Sequence, residues 1–110
     1  MRLLPEADRM VRTYLPTVLE AVGQDVHAQQ LRDLEPIFDR DSVVAACEAL
    51  RMVRIASVDE WVWKAVVRDA AFWCEAAVLA ALRKDTGAFR HHIEKATAAM
   101  KYGLPVVSIH

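Results

Sequence analysis

The chain has 110 residues, 55% hydrophobic and 26% charged, and its 14 basic and 15 acidic residues leave a formal net charge of −1. This composition excludes intrinsic disorder, which needs low hydrophobicity and a high net charge. The charges are interspersed, so neither the basic patch of a nucleic-acid-binding protein nor a polybasic membrane-binding stretch is visible. We therefore predict a single helical domain over residues 1–110 that binds neither nucleic acid nor a membrane.

The cysteines and the N-terminal residues indicate the cellular compartment of the protein. Cys47 and Cys74 are far apart and form no C-x-x-C motif. The opening "MRLLPEADR" turns acidic and contains a proline at once, unlike a secretory signal. We expect a cytoplasmic protein whose two thiols are reduced and packed.

Gly and Pro are scarce in the sequence, and the breaks at these residues and at capping patterns divide the chain into about five predicted helices. The first is predicted from near Pro5 to Val22, where Gly23 ends it, with a kink or break at Pro16 because proline removes an amide donor. A short, polar second helix is predicted over residues 25–34, ending before a proline.

The third and fourth helices each begin at a capping pattern. In "DRDS", Asp41 or Ser42 can cap a helix that runs to about residue 56. In "SVDE", Ser57 and Glu60 form a capping box that starts a long helix over about 58–84.

The fifth helix is predicted over residues 88–102, with Phe89 among its inward-facing residues. Gly103 and Pro105 are expected to stop it, which leaves "LPVVSIH" as a short extended C-terminal tail. The sequence thus predicts an all-α fold: a four- to five-helix bundle with a central long helix and an extended tail.

The long fourth helix could be mistaken for a membrane span. On a helical wheel, Glu60, Lys64, Arg68 and Glu75 fall within about 80° of one another, which predicts a solvent-facing stripe. Charges are costly in hydrocarbon, so this stripe argues against a membrane-spanning helix.

The rest of that wheel is apolar, over roughly two-thirds of the circumference. A helix this apolar is either the central element of the domain or shared with a second subunit. Trp61 and Trp63 point in nearly opposite directions and cannot both face one neighbour. We therefore take Trp61, Trp63 and Val67 as candidate interface residues, and expect a homodimer or a complex with a protein partner.

Asp69 is the one charge inside the predicted apolar arc. A buried carboxylate must be paired, hydrogen-bonded or protonated. Two interpretations remain open. Asp69 has a structural role, as the ion-pair partner of Arg54 or through a hydrogen bond to a helix end, or it is a general acid/base or ligand contact in a pocket formed by Asp69, Trp73, His92 and Arg54.

The histidines and cysteines give little sign of metal or catalytic chemistry. His91 and His92 are adjacent, so on a helix they point about 100° apart and do not easily hold one metal ion. The sequence contains no phosphate-binding loop, dinucleotide-binding fingerprint, G-x-S-x-G elbow or H-E-x-x-H motif. Cys47 has no histidine or cationic helix start near it in the sequence that would activate its thiol. We expect no metal, no cofactor and no catalytic residue.

These observations favour a small cytoplasmic interaction protein, such as an adaptor, a regulatory subunit or an immunity- or antitoxin-like subunit, acting through an apolar helix surface. The alternative is a small helical enzyme or ligand-binding bundle with a pocket around Asp69, Trp73 and His92. A deep pocket at Asp69 would favour the alternative, and an exposed apolar surface would favour the interaction protein.

Overall fold

The computed structural model describes residues 3–56 and 61–108, with side chains for residues 3–55 and 67–101, and no strand occurs among them. In chain order the elements are α1 (Leu4–Arg9), a π-helical turn (Met10–Tyr14), α2 (Leu15–Ala21), α3 (Asp25–Arg32), α4 (Arg40–Ala56), α5 (Trp61–Leu82) and α6 (Thr86–Ser108). The prediction of an all-α bundle is confirmed. The long helix α5 is central, because it packs against α1, α2, α4 and α6.

The first helical stretch changes its geometry just before Pro16, as the sequence predicted. Here the Leu15 amide donates to the carbonyl of Met10, five residues earlier. A proline ring clashes with the carbonyl four residues before it, and a wider π-helical turn gives that carbonyl room. The proline therefore divides the stretch into α1 and α2 without ending it.

Gly23 ends α2, which confirms the predicted stop. Its φ of 83° lies in the left-handed region that glycine adopts without a steric penalty. The amides of Gly23 and Gln24 donate to the carbonyls of Glu20 and Leu19, at 3.0 and 2.8 Å. These two bonds form a Schellman motif, which satisfies carbonyls that the helix end would otherwise leave unpaired.

The start of α4 corrects one detail of the sequence analysis. The capping residue is Asp39, whose Oδ1 accepts the amide of Ser42 at 2.9 Å, and not Asp41 or Ser42. Ser42 reciprocates, since its hydroxyl oxygen accepts the amides of Phe38 and Asp39. This reciprocal arrangement resembles a capping box and lowers the pKa of Asp39, chiefly through the Ser42 amide and hydroxyl.

Small side chains form the buried face of α5. From residue 67 onwards, where side chains are described, the buried apolar residues of this helix are Val67, Ala70, Ala71, Cys74, Ala77, Val78, Ala80 and Ala81. Small residues at a contact allow helix axes to approach closely, so α5 can pack tightly between α4 and α6.

The exposed face of α5 differs from the predicted one. Asp69 is exposed, so the prediction that it is the buried carboxylate is wrong. Glu75, which the wheel placed on the solvent stripe, is only 9% exposed. The wheel counted every apolar residue alike, whereas the core selects the alanines and leaves the larger Phe72 and Leu79 on the surface.

The C-terminal part of the chain also corrects the prediction. Helix α6 begins at Thr86 and continues through Gly103 and Pro105 to Ser108, so the extended tail is wrong. A proline removes only one helical hydrogen bond, and its local cost does not by itself end a helix. The predicted capping box at Ser57 and Glu60 lies outside the described residues.

Lys84 lies just after the C-terminal end of α5 and has a left-handed backbone, with a φ of 60°. It occupies the position that Gly23 occupies after α2, since the amides of Lys84 and Asp85 donate to the carbonyls of Ala81 and Ala80. A left-handed backbone costs a non-glycine residue about 1–2 kcal/mol. Glycine relieves this strain, but it also gives the unfolded chain more conformational entropy, which offsets part of the gain. Lys84→Gly is therefore expected to raise the free energy of unfolding by up to about 1 kcal/mol.

Urea denaturation measures this change. Lys84→Ala is the control, because alanine removes the long side chain but retains the strained backbone. An equal gain from both substitutions would contradict the explanation by backbone strain.

Candidate functional site

A groove runs between the outer faces of α4 and α5, and we call it the α4–α5 groove. Its exposed apolar residues are Val44 and Ile55 on α4, and Phe72 and Leu79 on α5. They are 50, 65, 46 and 36% exposed, respectively. Two cavities of about 500 and 220 Å³ lie along it and share Arg51. The two cavities therefore meet at Arg51, and each has large apolar side chains open to solvent.

Arginines supply the positive charge of the α4–α5 groove. The lining cations are Arg40, Arg51, Arg54 and Arg68. The acidic residue among the lining side chains is Asp69. Arginine is favoured at protein interfaces, because its planar guanidinium binds carboxylates in a defined geometry and packs against apolar groups.

Glu75 lies beneath the groove and binds two of these arginines. Its Oε2 accepts from Nε of Arg51 at 3.1 Å, and its Oε1 is 3.0 Å from Nη2 of Arg54. The carboxylate is nearly buried, whereas Arg51 retains 55% of its side-chain exposure. Glu75 therefore anchors both guanidiniums from below, and Arg51 reaches the surface of the groove.

Arg54 also contacts the aromatic residue of the groove. Its guanidinium carbon lies 5.8 Å from the centroid of the Phe72 ring, within the range of a cation–π contact. The ring of Phe72 packs edge-on against Trp73, with 5.0 Å between the centroids. These contacts hold Phe72 in place while part of its surface stays exposed.

The predicted ligand-binding residues divide between two surfaces. Asp69 and Arg54 line the α4–α5 groove, while Trp73 packs against His92 of α6, with ring centroids 5.6 Å apart. The partner that the sequence analysis assigned to Arg54 was the wrong carboxylate, because the ion pair is with Glu75. The structure thus gives Arg54 a nearly buried partner, Glu75, on α5, but it does not unite the four predicted residues in one pocket.

Of the three predicted interface residues, the structure describes the side chain of one, Val67. The side chain of Val67 is buried in the core of the chain, so it offers no surface to a partner. The side chains of Trp61 and Trp63 lie outside the described residues. Among the exposed apolar residues of the described part of the chain, Val44, Ile55, Phe72 and Leu79 line the α4–α5 groove, and none of them was predicted as an interface residue.

An aromatic cluster of Trp73, His91 and His92 joins α5 to α6. The two imidazole rings are 5.5 Å apart, and Trp73 lies within 6 Å of both, at 5.9 and 5.6 Å. His92 Nδ1 is buried and has no hydrogen-bond partner among the described atoms. Desolvation, and then His91 and Arg83, lower the pKa of His92 from its usual 6.5, against a smaller opposing effect of Asp85.

This lowered pKa predicts a pH dependence of stability. Because the folded protein favours neutral His92, protonation of this residue favours the unfolded state. The free energy of unfolding is therefore highest above pH 6.5, the pKa of His92 in the unfolded chain, and it falls as the pH decreases from there towards the lower pKa of the folded protein. Urea denaturation at about pH 7.5 and about pH 5.5 should show the loss, and His92→Gln should make it smaller. His27→Gln is the control, since His27 lies outside the cluster. A profile unchanged by His92→Gln would contradict this assignment.

The cysteines are packed thiols. Cys47 and Cys74 are free and buried. Burial is the main reason that their pKa values rise, to about 11 for Cys47 and about 12 for Cys74. Thiols with such high pKa values are poor nucleophiles at neutral pH.

Another cavity, of about 290 Å³, lies where the π-helical turn and α2 face α6. Its lining residues are Met10, Tyr14, Thr17, Val18, Thr97, Met100 and Lys101. It is smaller than the cavity beside Phe72 and contains one charged lining residue. It therefore offers fewer groups that would orient a ligand than the α4–α5 groove does.

No protein-family model, curated protein or solved structure matches this chain. Over residues 3–56 and 61–108, no helix combines the length and apolar character needed to cross a membrane. In the same part of the chain, no three His, Cys, Asp or Glu side chains form a cluster that could hold a metal ion. The properties of the α4–α5 groove are thus the basis for inferring function.

Proposed function

We propose that this protein is an interaction module that binds an amphipathic helix of another protein in the α4–α5 groove. The observation that carries the proposal is the exposure of four large apolar side chains along one groove: Val44, Ile55, Phe72 and Leu79. Contiguous exposed apolar surface next to charged residues is typical of a binding site for a protein.

The shape of the groove favours a helix as the occupant. From Arg40 to Ile55 the α4 side of the groove spans roughly 22 Å at 1.5 Å per residue, the length of about four helical turns. The walls are helices whose backbone groups are already paired within themselves. An extended peptide would find no backbone partners there, whereas a helix satisfies its own backbone and presents an apolar stripe.

A binding assay with substituted proteins tests the proposal. Ile55→Ser combined with Phe72→Ser removes the two large apolar side chains of the larger cavity of the groove, and both positions are already exposed, so the fold should persist. Val26→Ser is the matched control, because Val26 is 70% exposed on α3, away from the groove. Circular dichroism and urea denaturation verify folding.

Immobilised wild-type protein, the double variant and the control are then compared in extracts of the native host. We expect a specific protein to be retained by wild type and by Val26→Ser, and at least about tenfold less by the double variant. Truncation of the retained protein should map binding to one helical segment. Equal retention by all three, or a binding segment without helical apolar periodicity, would contradict the proposal.

A further inference from the structure

We infer that the helix bound in the α4–α5 groove is acidic, and that Arg51 and Arg68 bind its carboxylates. The inference rests on the proposed function, because it specifies the chemistry of the helix that the groove receives.

The first support is the charge balance of the groove. Four arginines, Arg40, Arg51, Arg54 and Arg68, face the carboxylates of Asp69 and the nearly buried Glu75. The groove therefore has a positive excess, although the whole chain has a net charge of −1. A positive groove attracts negatively charged partners and disfavours basic ones.

The second support is the way in which Glu75 holds Arg51 and Arg54. One carboxylate engages both guanidiniums, and each guanidinium has five N–H donors. Arg51, with more than half of its side chain exposed, can donate to a second carboxylate while it remains bound to Glu75. A guanidinium already fixed in position loses less conformational entropy when it binds a partner.

The third support is the position of the arginines beside apolar residues. The same cavity is lined by Ile55 and Phe72 together with Arg51, Arg54 and Arg68. An amphipathic helix that places its apolar stripe on Ile55 and Phe72 would bring the residues flanking that stripe towards the arginines. Flanking Glu or Asp residues would then form charge-assisted hydrogen bonds with them.

The same charges argue against a second copy of this chain as the occupant. Two such grooves facing each other would bring arginines of both copies together, and like charges that face each other across an interface lower affinity. An acidic helix of a different protein meets no such repulsion.

A displayed library of helical peptides tests the inference. Each peptide has about 20 residues, a fixed stripe of leucines with helical spacing, and flanking positions randomised among Glu, Lys and Gln. Four forms of the protein select from it: wild type, Ile55→Ser with Phe72→Ser, Arg51→Gln with Arg68→Gln, and a charge-matched control, Arg83→Gln with Lys95→Gln. All four positions of the two charge-removing variants are exposed, so folding should persist, which circular dichroism checks.

We expect wild type and the charge-matched control to enrich Glu over Lys at the flanking positions by at least about fivefold. Arg51→Gln with Arg68→Gln should bring this ratio close to one. Added salt should weaken binding of the selected peptides to wild type more than to this variant, because salt screens exposed charges.

The two proposals fail in different ways. If the selected peptides bind Ile55→Ser with Phe72→Ser as well as wild type, or if no peptide is selected, the proposed function is wrong. If binding needs Ile55 and Phe72 but shows no preference for Glu, or if the preference survives in Arg51→Gln with Arg68→Gln, the groove binds a helix but the assignment of acidic chemistry is wrong.

Discussion

Glu75→Ala is expected to lower the free energy of unfolding by about 2–3 kcal/mol, because it leaves Arg51 and Arg54 without the carboxylate that lies beneath them. Loss of one partner of a fully buried ion pair costs more, about 3–5 kcal/mol. The smaller value is appropriate here because 55% of the Arg51 side chain and 27% of the Arg54 side chain are exposed, and both can turn towards water.

Asp69→Ala is the matched control on the same helix. Asp69 is exposed, so we expect its loss to change the free energy of unfolding by less than about 0.5 kcal/mol. Arg54→Ala combined with Glu75→Ala should cost less than the sum of the single substitutions, because the two residues interact directly. Urea denaturation is measured for wild type and for four variants: Glu75→Ala, Arg54→Ala, the double variant and Asp69→Ala. A larger effect from Asp69→Ala than from Glu75→Ala would contradict the assignment of the buried carboxylate.

Phe89→Ala is expected to lower the free energy of unfolding by about 3–5 kcal/mol, the usual cost of removing a buried aromatic side chain. Phe89 is fully buried and is the largest such side chain in the described core. It lies in the first turns of α6, where Asp85 caps the helix by accepting the amide of Ala88 at 3.1 Å. Its loss would open a cavity that the surrounding backbone cannot readily close.

Phe89→Leu makes this prediction measurable if the alanine variant does not fold. Leucine keeps most of the buried volume, so we expect a loss of about 1–2 kcal/mol. Phe38→Ala is the control, because Phe38 is 66% exposed and its removal should cost little. Similar losses at positions 38 and 89 would contradict the described core.

The helical architecture was predictable because its signals are local. Gly23 ends α2 as predicted, and the predicted break at Pro16 takes the form of a π-helical turn over Met10–Tyr14, just before the proline. The end of α6 was not predictable in the same way. Gly103 and Pro105 weaken a helix locally, but the extent of α6 depends on the whole helix and not on two residues.

The candidate site was less predictable, because it depends on which face of α5 packs inwards. A helical wheel that counts every apolar residue alike does not distinguish alanine from the larger side chains, and it therefore misplaced Asp69 and Glu75. Close packing favours alanine where helices approach, and the size of a side chain decides its place as much as its polarity. A wheel weighted for small residues would have placed Ala70, Ala77 and Ala81 inwards and Phe72 outwards.

Arg54 shows what sequence reasoning could and could not supply. Its need for a buried carboxylate on the following long helix was foreseeable, since an inward-facing guanidinium needs a partner. The identity of that carboxylate depended on how the two helices are rotated against each other. That rotation follows from side-chain packing along the α4–α5 contact, which no single residue in the sequence specifies.

Photo-crosslinking from within the α4–α5 groove tests the central claim most directly. Phe72 is replaced by the photoreactive amino acid p-benzoylphenylalanine, and in a second protein the same replacement is made at Val26 as the control. After irradiation in cells of the native host, the crosslinked peptides are sequenced by mass spectrometry. We expect position 72, but not position 26, to capture a segment of another protein that has helical apolar periodicity and flanking acidic residues. Equal capture from both positions, or from position 72 a second copy of this chain alone or no protein at all, would contradict a groove that binds a partner helix.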